Sequence, residues 1–317
     1  MSRPSDIRIR SAAFHTTSYQ YRVPIKFGGR VVTDVVLVDA EVEIETRGGK
    51  SAIGHGSMPI GNAWAWPSNR LSSTDTLATL VDLVERVTRE ADRYREWGHP
   101  LEITHALGAG YNAIAEKIAV DRKLVEPIPR LAQLMAASPI EGAIHDSQGQ
   151  ALGRNSYNLL GRDYVAHDLS KYLNGDFAGE YLDQYTLREP KARMPLYHLV
   201  GALDPLFETD IPHRINDGLP ETLGEWILAD GLTHLKIKLA GDNLPWDVDR
   251  VARVEMASVE AQNQRGCRTW NYSLDFNEKC ASVEYVLDFL AQLKERSPAA
   301  LARVQYIEQP THRDLRA

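Results

Sequence analysis

Two hydrophobic periods divide the chain. Near the N-terminus, apolar and polar residues alternate as a half-buried strand requires, loosely over residues 7–18 and more clearly over 31–46. The second run is rich in Val and Ile and is bounded by Gly28-Gly29 and by Arg47-Gly48-Gly49, after which residues 50–58 return. That spacing predicts a hairpin and a three-stranded antiparallel sheet. Two connections here, 19–30 and 57–67, are rich in aromatics and glycine, with Trp64 and Trp66 beside Gly61 in the second. Such loops either touch a ligand or fold their rings beneath themselves, and the pattern leaves both open.

From Ser73 the period changes to that of a helix. Leu77, Leu80, Val81, Val84, Val87, Ala91 and Tyr94 recur at three and four, with a cap among Ser72, Ser73 and Thr74 and a stop at Gly98. A second helix is predicted over 101–120 and a short third over 130–137. A fourth, over 138–162, starts at the Ser138-Pro139 breaker and has Ile140, Ala143, Ile144 and Ala151 on its apolar side. Gly108-Ala109-Gly110 lies inside a helical pattern with no strand before it, so it is not a dinucleotide loop. His145-Asp146, also on a helix, reads as a structural hydrogen-bonding pair. Residues 164–193 show little periodicity and read as a linker.

Beyond the linker, strands and helices alternate. Strands are predicted over 194–202, 232–240, 272–276 and 304–308. Helices are predicted over 219–229, within 247–264, and on the stripe Val283, Val286, Leu287, Leu290 and Leu293. Repeated β-then-α units with apolar strands imply a parallel sheet covered by helices. The stretch LTHLKIKLA (232–240) organises this half. Side chains on a strand alternate, so Leu235, Ile237 and Leu239 share one face and His234, Lys236 and Lys238 the other. Two ammonium groups on one face must stay in water or find anions opposite them. Asp275 and Glu308 close the next two strands, and charge gathered at the C-terminal ends of parallel strands is where barrel enzymes keep their chemistry.

Composition narrows the partners. With 317 residues, 43% of them hydrophobic, the chain can bury the cores of about two domains. A net charge of −7 without a basic block argues against nucleic acid. Cys267 and Cys280 fit no zinc spacing and no disulfide framework, which favours a reducing cytoplasm. The N-terminal MSRPSDIRIRS has no apolar targeting core, and no stretch is apolar enough to cross a membrane, so a soluble, intracellular protein is expected.

Lys236-x-Lys238, then Asp275-x-Asn277, then Glu308-Gln309-Pro310, each on its own strand, resemble the enolase superfamily in its mandelate racemase and muconate lactonizing enzyme branch. AIHDSQGQALGRNSYNLLGR (143–162) is similar to that family's A-I-x-D-x-x-G-x-x-L-G-x-x-x-x-x-L-L-G stretch. The resemblance implies an α/β protein. An N-terminal α+β capping domain, residues 1–137, precedes an incomplete (β/α) barrel of about four strands, residues 138–317. It also implies a bound Mg²⁺ and removal of a proton next to a substrate carboxylate, with Lys238 as base and Lys236 beside it, lowering its pKa and contacting the substrate carboxylate. Asp275 and Glu308 are the implied metal ligands, since Mg²⁺ prefers hard oxygen donors, and Asn277 braces rather than binds. Lys26, Phe27 and Trp64, in the segments resembling substrate-selecting loops, are candidate substrate contacts. A small carboxylate substrate and a homo-oligomer, once the barrel is complete, follow from the same resemblance.

The family pattern continues where this sequence stops, at Ala317, with strands that carry a third carboxylate ligand and the partner acid or base. His312 follows Pro310 too closely to be that partner. An open half-barrel is expected to be unstable or inactive until the rest is supplied. Two function classes stay open: an isomerase or lyase of the racemase, epimerase, cycloisomerase or acid-sugar dehydratase kind, or a non-catalytic fragment or subunit of a split assembly.

Overall fold

The computed structural model describes residues 3–27 and 30–315 and divides into two compact units, one of residues 1–20 and 34–190, the other of 21–33 and 191–317. The expected division at 137/138 instead falls inside a continuous helix.

The first unit is built on an antiparallel sheet in the order β1-β2-β3, from β1 (Ile7–Phe27), β2 (Arg30–Thr46) and β3 (Ser51–Pro59). Glu41 pairs with His55 and Glu43 with Ile53, a register set by the tight turn after Thr46. Val38, Ala40, Val42 and Ile44 are buried on one face of β2, while Asp39, Glu41, Glu43 and Glu45 lie on the other. The segment 19–30, expected as a loop, is mostly strand. Its aromatics and Pro24 hide the alternation, and β1 tolerates a residue without an N–H because it is an edge strand.

Four helices complete this unit: α1 (Asn62–Ala65), α2 (Ser73–Arg93), α3 (Pro100–Asp121) and α4 (Arg130–Leu152). Ser72 caps α2 by accepting from the Asp75 N–H. His99 and Glu102 cap α3 reciprocally, while Gly153, in the left-handed conformation, ends α4. The break expected at Ser138-Pro139 does not occur. Pro139 has no N–H for the Met135 carbonyl four residues back, but the Ser138 hydroxyl donates to that oxygen at 2.8 Å, so the helix runs through. Strand β3 lies so close to α4 that a Cβ on Gly54 would fall 2.2 Å from the Ala143 oxygen, and one on Gly56 2.0 Å from the Pro139 oxygen. The Asp146 carboxylate accepts from the His55 N–H at 2.9 Å, the structural role expected for it. Trp66 is buried and donates through Nε1 to Glu126 at 2.7 Å, so this tryptophan packs. Short 3₁₀ turns punctuate the otherwise irregular segment 153–190.

The second unit holds a parallel sheet in the order β4-β5-β6-β7: β4 (Tyr197–Val200), β5 (His234–Lys238), β6 (Asn271–Asp275) and β7 (Val304–Glu308). Between them lie α5 (Leu223–Asp230), α6 (Leu244–Arg265), α7 (Val283–Arg296) and the unforeseen α8 (Pro298–Arg303). Leu235, Ile237, Tyr272 and Leu274 are fully buried and share one core cluster with Val251, Val254, Phe289 and Leu293 of α6 and α7. Helices thus cover one face, and the other is the polar face of His234, Lys236 and Lys238. Both cysteines are free thiols, and no helix among the described residues is long and apolar enough to cross a membrane.

Candidate active site

Strand register brings the charged ends together. Lys238 of β5 is the Cα partner of Asp275 on β6, and Asp275 is the partner of Glu308 on β7, so three strands present one row. Side chains in register on parallel strands point to the same face, and here that is the face without helices. Of the two options for the lysine pair, the chain takes the second and supplies anions. Lys236 Nζ donates to both Glu308 oxygens, at 2.7 and 2.6 Å, and lies 3.1 Å from Asp275 Oδ2. Lys238 Nζ donates to the same Asp275 oxygen. The Lys238 and Asp275 side chains are 5% and 1% exposed, against 24% for Lys236, so the inner pair is dry and the outer one reaches water.

Asn277 holds the other Asp275 oxygen. Its N–H and its side-chain amide donate to Oδ1 at 2.8 and 2.9 Å, and its φ of 50° is a left-handed conformation that asparagine tolerates. Oδ1 thus takes two donors from Asn277, and Oδ2 faces the two ammonium groups, whose place a cation could take. Burial alone would raise the Asp275 pKa, but the Lys238 bond and charge, the Asn277 N–H and Lys236 outweigh it and hold the group below the usual carboxylate range. For Lys236 burial pulls downward, and the Glu308 bond and Asp275 charge reverse it, leaving the ammonium above its ordinary value. Lys238 is lowered. Burial is the largest cause and Asp275 opposes it, so the like charge of Lys236, expected to drive the shift, only adds to it.

Two residues that sequence reasoning passed over stabilise this end of β5. Asp247, fully buried in the first turn of α6, accepts from the N–H groups of Ala240 at 2.6 Å and Gly241 at 2.9 Å, and from the Tyr285 hydroxyl at 2.7 Å. These bonds fix the turn that begins one residue after Lys238. The signal available in the sequence was an acid in the first turn of a helix opened by Asn243 and Pro245. Of the candidate substrate contacts, Lys26 lines a small pocket with Asn277. Phe27 ends β1, but its side chain is outside the described residues. Trp64 belongs to the first unit, where it is 37% exposed and its indole lies against Gly61. His312 accepts from the Asp314 N–H beyond the end of β7.

Asp275 and Glu308 suit a hard cation, because their oxygens already converge on a single positive centre, the Lys236 ammonium. Among the described residues, no group of three or more His, Cys, Asp or Glu comes together in a metal-binding arrangement.

No known family's sequence profile matches the chain, and no curated protein matches it. Solved structures do. An enolase from Bradyrhizobium, complexed with magnesium and mandelic acid, aligns with 96% of this chain and 62% of its own, at 16% identity and a TM-score of 0.55. The L-Ala-D/L-Glu epimerase of Bacillus subtilis gives the same coverages at 18% identity and a TM-score of 0.55. A mandelate racemase/muconate lactonizing protein from Herpetosiphon aurantiacus aligns with 98% of this chain and 62% of its own, at 14% identity and a TM-score of 0.52. This chain therefore spans about 62% of the length of the solved structures it resembles. At such identities the likeness is one of fold. Over the part it spans, the chain has the fold of these structures, an antiparallel sheet with helices followed by a parallel sheet with helices on one face.

Proposed function

We propose that this chain forms part of a magnesium-dependent enzyme that removes a proton from the carbon next to a substrate carboxylate, as racemases, epimerases, cycloisomerases and acid-sugar dehydratases do. The observation that carries the reading is the row Lys238, Asp275, Glu308 on three adjacent strands, with Lys236 beside it. Asp275 and Glu308 would hold the ion, which when bound offsets negative charge developing on the substrate carboxylate. Lys238 takes the α-proton. Burial, opposed by Asp275, sets it below the ordinary lysine range. Lys236, still cationic and partly exposed, orients the substrate carboxylate. Asn277 fixes the rotamer of Asp275, and Asp247 the turn after Lys238.

The reaction is proposed for this sheet closed by further β/α units that add a third ligand and a second acid or base. The proposed compartment is the cytoplasm, where two unpaired thiols persist, and the proposed assembly is a homo-oligomer. A second reading, a non-catalytic fragment or one part of a split assembly, is favoured by the lack of a third clustered metal-ligating side chain among the described residues.

The test is magnesium-dependent exchange of the α-proton of mandelate and of L-Ala-D-Glu with deuterated solvent, followed by proton NMR. Lys238→Ala is expected to lower the exchange rate by at least about a hundredfold, the usual worth of a positioned base. Exchange that survives Lys238→Ala unchanged ends the assignment of the base.

A further inference from the structure

We infer that Ser273, on β6, is a positioning residue for Lys236: its hydroxyl accepts from the Lys236 ammonium when Asp275 and Glu308 turn to a divalent cation. This rests on the reading of those two carboxylates as the cation's ligands, and it adds where the ammonium now bonded to them goes.

Ser273 is fully buried, and its Oγ has no hydrogen-bond partner among the described residues. A buried hydroxyl without a partner is destabilising, so its presence points to an arrangement in which one arrives. Its place on the sheet says which. Ser273 stands two residues before Asp275 and therefore on the same face, the one without helices. Its Cα partner on β5 is Lys236. The Lys236 side chain starts from β5 yet reaches Glu308 on β7, so its stem runs over β6, from the level of Ser273 to that of Asp275. A small side chain at 273 lets the stem pass, and a hydroxyl there puts an acceptor beneath it.

The contacts of the Lys236 ammonium are to the two carboxylates, at 2.7 and 2.6 Å to Glu308 and 3.1 Å to Asp275. A divalent ion between those oxygens repels the ammonium from all three places at once. The Lys236 side chain is only 24% exposed, so a displaced ammonium would lie partly out of water without an acceptor. Lys238 is a donor itself, and Asn277 is committed to Asp275 Oδ1. Withdrawal along its own stem brings the ammonium back to the level of Ser273, whose oxygen is unused. An ammonium has three donors, so one proton given to Ser273 leaves two for the substrate carboxylate that Lys236 is proposed to orient. The serine thus fixes the direction in which the cation faces the substrate.

Titration of the full chain with Mn²⁺, followed by loss of the free-ion paramagnetic resonance signal and with Mg²⁺ as competitor, tests this. Ser273→Ala is expected to weaken binding about tenfold, the scale of a hydrogen bond to a charged group. The urea midpoint of the metal-free chain should stay level or rise, since the substitution deletes a hydroxyl that has no partner there. Lys236→Met removes the competing ammonium and should tighten binding about tenfold or more; in that background Ser273→Ala should change nothing. A serine that served packing alone would act equally with and without Lys236. An effect of Ser273→Ala that is equal in both backgrounds, or absent in both, overturns the inference. If Lys236→Met still tightens binding in that case, the carboxylates remain the ion's ligands and only the role of Ser273 falls. If neither the unaltered chain nor Lys236→Met binds Mn²⁺ saturably, or if Glu308→Gln leaves binding unchanged, the reading of the metal site fails and the role of Ser273 fails with it.

Discussion

At the residue scale, the Lys238–Asp275 pair ties the chemistry of the site to the stability of its unit. Both groups are nearly inaccessible, and each is the other's compensation for leaving water. Asp275→Asn would leave Lys238 buried without its counter-charge, and is expected to cost about 3–5 kcal/mol of stability, measured as a shift in urea midpoint. Lys238→Met in the same background removes the stranded charge and should recover most of that loss. Partial exposure of the Lys236–Glu308 pair makes its contribution smaller, about 1 kcal/mol or less, so Glu308→Gln should barely move the midpoint. The lysines and acids themselves were legible in the sequence, as charges on alternate positions and at strand ends. Their pairing was not, because register across strands 37 and 72 residues apart leaves no local trace. The same blindness hid the main cause of the Lys238 shift: a charged neighbour is visible in a sequence, whereas burial is not.

At the element scale, the approach of β3 to α4 sets the tolerance of the first unit. Gly56→Ala would put a methyl carbon 2.0 Å from the Pro139 oxygen and 2.8 Å from the Ala143 nitrogen, both backbone atoms that cannot swing aside. The substitution is expected to lower stability by about 2–3 kcal/mol, seen as a lower melting temperature, because strand and helix must part to admit it. Alanine at Gly110, which has open space around it in α3, should instead be neutral or mildly stabilising. Elements with one dominant period were readable: β7 falls on the residues expected for it, α2 begins at the expected cap Ser72, and α3 covers nearly the residues expected for it, although α2 ends at Arg93, short of the expected stop at Gly98. Misreadings came where one residue type sends two messages. Pro139 announces a helix break, yet Ser138 supplies the missing hydrogen bond; the aromatics and glycines of 19–30 announce a connection, yet β1 runs on to Phe27.

At the scale of the whole molecule, the first unit carries a built-in response to pH. There, His99 and His145 stack edge to face at 6.2 Å, and burial lowers their pKa values to about 3 and about 4. A neighbouring imidazole and Arg3 lower His99 further, against one bond to the Leu159 carbonyl that raises it. Because both folded values lie below the unfolded one, the unfolded chain takes up protons first, and stability falls as pH drops from about 6.5 toward 4. A loss of about 2–4 kcal/mol is expected between pH 6.5 and 4.5, measurable as faster amide exchange in α3 and α4, and His145→Phe should flatten that dependence. What the sequence concealed at this scale is that residues 21–33 group with residues beyond 190, since a compact unit assembled from distant segments has no contiguous signature. The parallel sheet is simpler, for β4, β5, β6 and β7 lie side by side in the order in which they are made. A ribosome would release each βα pair beside its finished predecessor, so the sheet can grow at one margin during synthesis without waiting for a later strand to slot into its middle. The charged row is completed last under that schedule, when Glu308 arrives to meet an ammonium group already in place.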